Sequence, residues 1–380
     1  MRSRRDCLTH AVIVVCAVAL ALVFAGCQSQ QPRGDFVIGS ILPLTGDGAS
    51  YGKEIKNGID LAVEQENREG GVDNRKIVVR YEDSAGDPKQ AVSAMQKLMS
   101  QSRPEAVIGD AFSSPALAIA PIANRDKIVM ISPTASSPKL SGAGPYFFRN
   151  WPSDEAEATA MAEFAVKRRD LRRFAILYST SAYGVGLKDV FAQKIPELGA
   201  TVVAQEAFRE GDVDFRAQLT KIKGQRPDAV YITGYWKEFA NILKQARELG
   251  LSSQFLSCGT FHEPKLLQIA GNAAEGVVFV QPMYDPASAA PAVSEFVSAF
   301  KSRFGIEPGL YAAHGYDATR ILIEAARSAE GRSVTLRDAV AQTKGFVGVT
   351  GNTSFNGKGD VVKGSRIMAV SGGRFVDVKD

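Results

Sequence analysis

Cysteine and histidine are scarce in this chain of 380 residues, which contains four cysteines and three histidines. Two of the cysteines and one histidine fall in an apolar leader, so Cys27, Cys258, His262 and His314 remain beyond it. No C-x-x-C, H-E-x-x-H, G-x-S-x-G or G-x-x-x-x-G-K motif is present. The pair His262-Glu263 could bind a metal or act as acid and base, but its position is more typical of a solvated helix start. The sequence therefore predicts neither an enzyme nor a metal site.

A strong charge imbalance is also lacking. The formal net charge is +4, and removal of residues 1–26, which carry three arginines and one aspartate, lowers it to about +2. This balance gives no argument for nucleic-acid binding. Hydrophobic residues make up 45% of the chain and charged residues 23%, as in globular proteins with an ample core. The length leaves room for two domains.

The amino terminus has the pattern of an export signal. Three arginines precede an apolar run over residues 11–25, which is too short to span a bilayer comfortably, and Cys27 follows directly after Ala-Gly. We therefore predict a signal peptide over 1–27 with a lipobox-like end, lipidation of Cys27, and a short polar tether over 28–35. An ordinary signal peptide, an uncleaved anchor or a twin-arginine signal are the alternatives. Each of them places the mature chain outside the cytoplasmic membrane.

The stretch Val107–Pro138 predicts a βαβ unit. Two apolar runs, Ala106–Gly109 and Ile128–Ile131, are too short for helices, and an Ala-rich helix over Pro115–Arg125 separates them. Because a βαβ crossover makes its strands parallel, the polar loops after both strands meet at one edge of the sheet. Open α/β sheets bind their ligands at this edge.

Both of these loops offer small hydroxyl side chains. We expect Ser113 or Ser114 to cap the helix and leave its N-terminal N–H groups facing outward. Thr134 and Ser136 add hydroxyls and backbone donors beside them. Together these residues would form an uncharged cradle for a small anion such as a carboxylate, although serine and threonine also cap helices where nothing binds.

Strands and helices alternate from Phe36 onward, and the pattern restarts after Pro152. This alternation predicts an α/β fold with two doubly wound lobes built on parallel sheets. The last hundred residues would complete both sheets, so the chain crosses between the lobes more than once and forms a hinge with a cleft. We assign 36–150 with about 281–350 to the first lobe, and 151–280 with about 351–380 to the second.

Aromatic residues recur at the junctions between strands and the helices that follow them. Tyr51, Tyr183 and Tyr235-Trp236 each lie at such a junction, on the rim that faces the predicted cleft. Tyrosine rings could cover an apolar side chain while their hydroxyls meet a polar group. Packing between the lobes is the alternative interpretation of each residue taken singly.

Several segments together resemble one known family over nearly the whole mature chain. They include Gly39–Gly52 (GSILPLTGDGASYG), Gly58–Gly71 (GIDLAVEQENREGG), Ile131–Pro138 (ISPTASSP), Tyr183–Leu187 (YGVGL) and Tyr311–Thr319 (YAAHGYDAT). The chain resembles the periplasmic leucine/isoleucine/valine-binding proteins of ABC transporters, which have the type I periplasmic binding fold. The resemblance implies a monomeric periplasmic or cell-surface receptor without a cofactor, which closes on a small ligand and delivers it to a membrane permease with its own ATPase. A ligand-sensing subunit of a signalling system is the alternative.

The resemblance also implies roles for individual residues. Ser113, Ala135 and Ser136 match the residues that hold the ligand α-carboxylate. Tyr51 matches an aromatic residue that covers the ligand side chain. Tyr183 and Tyr235 match second-lobe residues that close over the ligand.

Two positions depart from the family pattern. The paired cysteines of the first lobe align with Gly86 and Phe112, and the acid that receives the ligand ammonium aligns with Gly259. A buried ammonium without a counter-charge is costly. Either another acid substitutes, or the ligand lacks the amino group, as do aromatic acids, short amides and urea. The candidate acids are Glu263, Glu238, Asp285 and Asp317.

Overall fold

A computed structural model describes residues 34–378, so the predicted signal peptide, Cys27 and most of the predicted tether lie outside the described residues. The first part of the chain contains β1 (Phe36–Leu42), α1 (Ala49–Arg68), β2 (Ile77–Asp83), α2 (Pro88–Lys97), β3 (Ala106–Gly109), α3 (Ser113–Asp126), β4 (Val129–Ser132) and β5 (Phe147–Arg149). The five strands are parallel and lie in the order β2-β1-β3-β4-β5. We call this sheet and its helices the first lobe.

The same alternation builds a second lobe. Its elements are α4 (Asp154–Glu163), β6 (Arg173–Ser179), α5 (Ala182–Glu197), β7 (Thr201–Phe208), α6 (Arg216–Gly224), β8 (Ala229–Thr233), α7 (Trp236–Glu248), β9 (Gln254–Ser257), α8 (Pro264–Ala270) and β10 (Val278–Pro282). Short π-helical turns extend α2 over Leu98–Ser102 and α4 over Phe164–Arg168. Strands β7, β6, β8, β9 and β10 are neighbours in that order and run parallel. The predicted α/β fold with two parallel-sheet lobes is confirmed.

The rest of the chain serves both lobes. It forms α9 (Pro291–Phe304), α10 (Leu310–Arg332), α11 (Leu336–Ala341), β11 (Phe346–Gly348), β12 (Gly351–Thr353), β13 (Ser365–Ser371) and β14 (Arg374–Asp377). Helix α10 packs on α1 so closely that a Cβ on Gly58 would lie 2.0 Å from the carbonyl oxygen of Ala312. Strand β13 then pairs with β10 in the second sheet. The chain therefore crosses between the lobes after β5, after β10 and before β13.

The structure corrects the prediction for the last part of the chain in three places. Strands β11 and β12 pair only with each other and join neither large sheet. Strands β13 and β14 do extend the second sheet, but they run antiparallel. The amphipathic pattern over 335–344 predicts a helix of that length, whereas the structure limits the helix to α11. Such short β segments carry no periodicity that fixes their partners or direction. The exact lobe boundaries stay a prediction.

Local signals explain where several elements begin and end. The Asp87 carboxylate accepts hydrogen bonds from the backbone N–H groups of Lys89 and Gln90, and Pro88 occupies the first helical position of α2. Helix α1 ends before Gly70 and Gly71, whose positive φ angles of 98° and 70° favour glycine. None of the helices in the described part of the chain is long and apolar enough to cross a membrane.

Candidate functional site: a cavity between the lobes

A cavity of about 330 Å³ lies where the two lobes meet. This volume includes space that is open to solvent, and the enclosed part has room for little more than one water molecule. Because β3 and β4 are parallel, the loops after them reach the cavity from the same edge, as predicted. The lining residues are Tyr51, Ala111, Phe112, Ser113, Thr134, Ser136, Trp151, Tyr183, Tyr235, Thr260 and Tyr311.

Ser113 connects the two loops of the first lobe. Its hydroxyl oxygen accepts hydrogen bonds from the backbone N–H groups of Ser136, at 3.3 Å, and Ser137, at 3.1 Å. A hydroxyl has two lone pairs and one proton, so these bonds leave the Ser113 proton to be donated elsewhere. Thr134 is held by a 2.8 Å hydrogen bond from its hydroxyl to the carbonyl oxygen of Ala111. The edge therefore presents a fixed hydroxyl donor to the cavity.

The prediction that Ser113 or Ser114 caps α3 is wrong. The N-cap residue is Phe112, and no side chain caps the helix. Instead, the Ser114 hydroxyl oxygen accepts a 3.1 Å hydrogen bond from the backbone N–H of Ala182, which belongs to the second lobe. Each serine thus accepts hydrogen bonds from a segment that is distant in sequence. Helix-capping propensity cannot predict such long-range contacts. Of the predicted residues, Ser114 and the buried Ala135 do not line the cavity.

Aromatic side chains form most of the remaining wall. The structure brings together the three predicted tyrosines, with ring centroids 6.1 Å apart for Tyr51 and Tyr235 and 5.6 Å apart for Tyr183 and Tyr235. Tyr311 lies 4.6 Å from Tyr51 and 5.7 Å from Trp151. Such a wall buries a large apolar surface and leaves hydroxyl groups at its rims.

Phe112 fills the place where the resemblance puts a disulfide. A Cβ on Gly86 would lie 3.1 Å from the Phe112 ring, and a Cβ on Gly48 would lie 2.7 Å from it. The ring also lies 4.6 Å from that of Tyr235, across the boundary between the lobes. Cys258, the single cysteine of the described residues, is a buried free thiol. Packing of an aromatic ring thus replaces a covalent link at this edge.

None of the four acids that we considered as substitutes for the missing acid lines the cavity. Asp317 accepts hydrogen bonds from the backbone N–H groups of Val349 and Thr350, and Asp285 is half exposed near Arg366. The remaining two of these acids accept hydrogen bonds from backbone N–H groups. The carboxylate of Glu238 accepts from the N–H of Gly211, and that of Glu263 caps α8.

The predicted solvated helix start at His262-Glu263 is also corrected. Glu263 is buried, and the half-buried ring of His262 contacts the side-chain oxygen of Gln281. No group of three or more His, Cys, Asp or Glu side chains in residues 34–378 is arranged to hold a metal ion. The cavity lining provides hydroxyl donors and rings.

Sequence reasoning missed a pair of buried acids on α4, close behind the cavity. Glu157 accepts a 2.8 Å hydrogen bond from the backbone N–H of Gly259, and neither carboxyl oxygen of Asp154 has a hydrogen-bond partner. Burial raises the pKa of Asp154 to about 7 and raises that of Glu157 as well. Acids in the first turn of a helix usually interact with its dipole in solvent, so their pattern gave no signal of burial.

Asp110, directly before the cavity residues Ala111 and Phe112, predicts a dependence of stability on pH. Burial raises the pKa of Asp110 to about 7, well above the value of roughly 3.9 in unfolded chains. Between these values the folded state binds more protons than the unfolded state, so stability falls as pH rises, and the fall stops above pH 7. Asp110→Asn keeps the oxygen that accepts from Phe112 N–H but cannot ionise. Between pH 5 and 8 we expect the free energy of unfolding of this variant to fall by roughly 2–3 kcal/mol less than that of the wild type. Urea unfolding at each pH measures this, and parallel curves would contradict it.

Comparison with known proteins agrees with this architecture. The profile of a family described as periplasmic binding protein matches residues 36–374. A Leu/Ile/Val-binding protein from Rhizobium johnstonii is 30% identical over 337 residues, which cover 88% of this chain and 90% of that protein. The crystal structure of a leucine-binding protein from Thermotoga maritima is 31% identical, covers 90% of this chain and 97% of its own, and gives a TM-score of 0.84.

A second solved structure contains a bound aromatic acid. A solute-binding protein of an ABC transporter from Rhodopseudomonas palustris, crystallised with 3,4-dihydroxybenzoic acid, is 27% identical, with a TM-score of 0.80 and coverage of 90% of this chain and 96% of its own. The match of fold, cleft and sequence over nearly all of the described residues leads to one conclusion. The chain belongs to the periplasmic binding protein family and is an extracytoplasmic substrate-binding protein of the ABC-transporter type.

Proposed function

We propose that the chain binds a small amphipathic carboxylate, such as a branched-chain amino acid or a related acid, in the cavity between its lobes. The observation that carries the proposal is the Ser113 hydroxyl group, which accepts two hydrogen bonds and still has its proton to donate. This group lies beside Thr134 and Ser136 and opposite an aromatic wall. A hydroxyl donor at the end of a helix suits an anion. The rings of Tyr51, Tyr183 and Tyr235 suit the apolar part of the ligand.

Closure of the lobes is the proposed transport signal. The first lobe contacts the second through the hydrogen bond from Ala182 N–H to the Ser114 hydroxyl oxygen and through the ion pair of Asp47 and Lys237. A ligand that bridges the lobes stabilises their closed arrangement only by contacts that the open arrangement lacks. We propose that an ABC permease recognises this closed arrangement, and that its ATPase supplies the energy.

The proposal extends to the amino-terminal segment. We propose that residues 1–27 direct export, that Cys27 carries a lipid anchor, and that residues 28–35 tether a monomeric receptor to the membrane. The basic residues, the apolar run and the small residues before Cys27 support this. The extracytoplasmic location of the family agrees with it.

Aromatic acids form the second candidate class of ligand. Six aromatic side chains line the cavity, and one solved relative was crystallised with 3,4-dihydroxybenzoic acid. Aromatic rings pair favourably with one another at centroid distances of about 4.5–7 Å. A flat ligand ring could therefore take the place that an aliphatic side chain would occupy.

A thermal-shift panel tests the proposal. The exported protein would be unfolded and refolded to remove carried-over ligand, then mixed with leucine, isoleucine, valine, benzoate, acetamide and urea. A ligand at a hundred times its dissociation constant should stabilise the protein by about 2.7 kcal/mol, a shift of a few degrees. We expect at least one carboxylate to bind. Binding of urea or acetamide with no carboxylate would overturn the proposal.

Ser113→Ala provides the residue-level readout of the same experiment. Loss of one hydrogen bond to a charged group costs about 1.5–3 kcal/mol, so the affinity for the carboxylate should fall at least about tenfold. Ser294→Ala, on the exposed face of α9, is the matched control and should bind as the wild type does. If both variants bind the carboxylate with equal affinity, Ser113 does not contact the ligand.

A further inference from the structure

The two sides of the cavity offer opposite chemistry. The first lobe contributes the Ser113 hydroxyl, whose proton is free to be donated to an anion, together with the neighbouring hydroxyls of Thr134 and Ser136. The second lobe contributes Tyr183 and Thr260, together with Trp151 of the connection between the lobes, and Glu157 lies directly behind these residues. A ligand that spans the cavity would therefore meet a hydroxyl donor at one end, and at the other end Trp151 and Thr260, with the Glu157 carboxyl group behind them.

The Glu157 carboxyl group lies against the backbone of residue 259. The carboxyl oxygen Oε1 accepts the Gly259 N–H at 2.8 Å, and a Cβ on Gly259 would lie 3.5 Å from Oε2 and 3.2 Å from the Trp151 ring. The carboxyl group thus lies in van der Waals contact with the position at which a side chain of residue 259 would begin. The indole of Trp151 lies on a second side of Glu157 and opposes the effect of burial on its pKa.

No cation neutralises this carboxyl group within the described residues. Glu157 is 3% exposed, and the groups that face it are the Asp154 carboxyl, the Gly259 N–H and the Trp151 indole. Arg149, the cation near Asp154, is paired with Asp360. Two buried carboxyl groups with no cation of their own are costly to ionise. A positively charged ligand group would reverse this cost and would be attracted to the pair.

We propose that Glu157, backed by Asp154, accepts the ammonium group of the ligand, so that the chain selects α-amino acids over simple carboxylic acids. This inference rests on the proposed function and names its substrate class. A carboxylate has room for about four hydrogen bonds, and the Gly259 N–H uses one. Lone pairs of Glu157 therefore remain for an ammonium group that approaches between Trp151 and Thr260.

Isothermal titration with two matched ligands tests the inference. Leucine carries the amino group, and 4-methylpentanoate is the same molecule without it. Removing one partner of a buried charge pair weakens binding by about 2–5 kcal/mol, so Glu157→Gln should bind leucine at least about 30-fold less tightly than the wild type. Its affinity for 4-methylpentanoate should stay the same or rise. Glu155→Gln, an exposed neighbour on α4, should bind both ligands as the wild type does.

A transplant variant separates recognition from packing. In Glu157→Ala/Gly259→Glu the carboxylate is supplied from residue 259, whose φ is not positive and whose Cβ requires the Trp151 ring to shift by a few tenths of an ångström. This variant should bind leucine at least about tenfold more tightly than Glu157→Ala does. The comparison tests whether a carboxylate at this place binds the ammonium group even if Glu157→Gln does not fold.

The outcomes are distinct. Unchanged leucine affinity in Glu157→Gln, equal losses for both ligands, or no recovery in the transplant would overturn the inference while leaving the receptor function intact. If the wild type binds 4-methylpentanoate but not leucine, the site takes carboxylates and the ammonium assignment fails. If the wild type binds no carboxylate in the panel above, the proposed function itself fails.

Discussion

Replacing Gly186 with leucine should weaken ligand binding roughly 10- to 100-fold without weakening the fold. Gly186 lies in α5 of the second lobe, and a Cβ there would lie 2.7 Å from Cδ of Pro138 and 3.3 Å from the hydroxyl oxygen of Ser137, both in the first lobe. Overpacking of this kind costs about 1–3 kcal/mol, and each 1.4 kcal/mol changes an equilibrium tenfold. Because the crowding arises only when the lobes meet, it opposes closure and therefore binding.

The stability of the same variant without ligand provides the decisive contrast. Glycine is a poor residue inside a helix, so leucine at position 186 should keep or slightly raise the thermal midpoint of the free protein. Small-angle scattering should show a larger radius of gyration than for the wild type in the presence of ligand. Gly331→Leu, in α10 and with no atom within 4 Å of its Cβ position, is the control and should bind normally. Wild-type affinity in Gly186→Leu would show that α5 and Pro138 do not meet on closure.

The fold and the polar edge of the site were predictable because both depend on short-range patterns. Alternating strands and helices force parallel sheets, and parallel strands end at one edge. This is why Ser113, Thr134 and Ser136, 21 to 23 residues apart in sequence, could be grouped before their distances were known. The tyrosines at strand–helix junctions follow the same rule.

The rest of the cavity depends on contacts that sequence patterns do not encode. Tyr311 reaches the wall only because α10 returns to the first lobe and packs on α1, and Trp151 reaches it from the connection between the lobes. A resemblance carries over residues at matching positions, so it predicted loss of the acid at Gly259. It could not show that Glu157, from another element, lies against the same backbone N–H.

Position within a helix was also misleading. Ser113 has the identity of an N-cap, but it lies one residue inside α3 and bonds the backbone of Ser136 and Ser137. Asp154 and Glu157 have the identity of exposed first-turn acids, but the second sheet and the Gly259 loop cover them. In each case a tertiary contact displaces the local preference, and the displaced residues lie at the candidate site.

Replacing Arg149 with methionine should cost about 3–5 kcal/mol of stability and should also weaken ligand binding. Arg149 is fully buried, and its guanidinium donates to Asp360, at 2.6 Å, and to the carbonyl oxygens of Ser136 and Ser137, at 2.7 and 2.9 Å. The variant leaves the Asp360 carboxylate buried without a partner and frees two carbonyl groups of the loop that carries Ser136. We expect the thermal midpoint to fall by roughly 4–7 °C.

A double variant tests whether the charge of Asp360, rather than lost packing, causes this effect. In Arg149→Met/Asp360→Leu no unpaired charge stays buried, so at least half of the lost stability should return. Ligand affinity should stay low, because neither variant restores the bonds to the Ser136 and Ser137 carbonyls. Arg149→Lys should be less stable than the wild type and should bind the ligand more weakly. An ammonium group lacks the planar guanidinium geometry that lets Arg149 donate to Asp360 and to the loop at the same time. Recovery of affinity together with stability would contradict this division of roles, because it would mean that Arg149 serves the hinge alone and leaves the loop at the cavity unaffected.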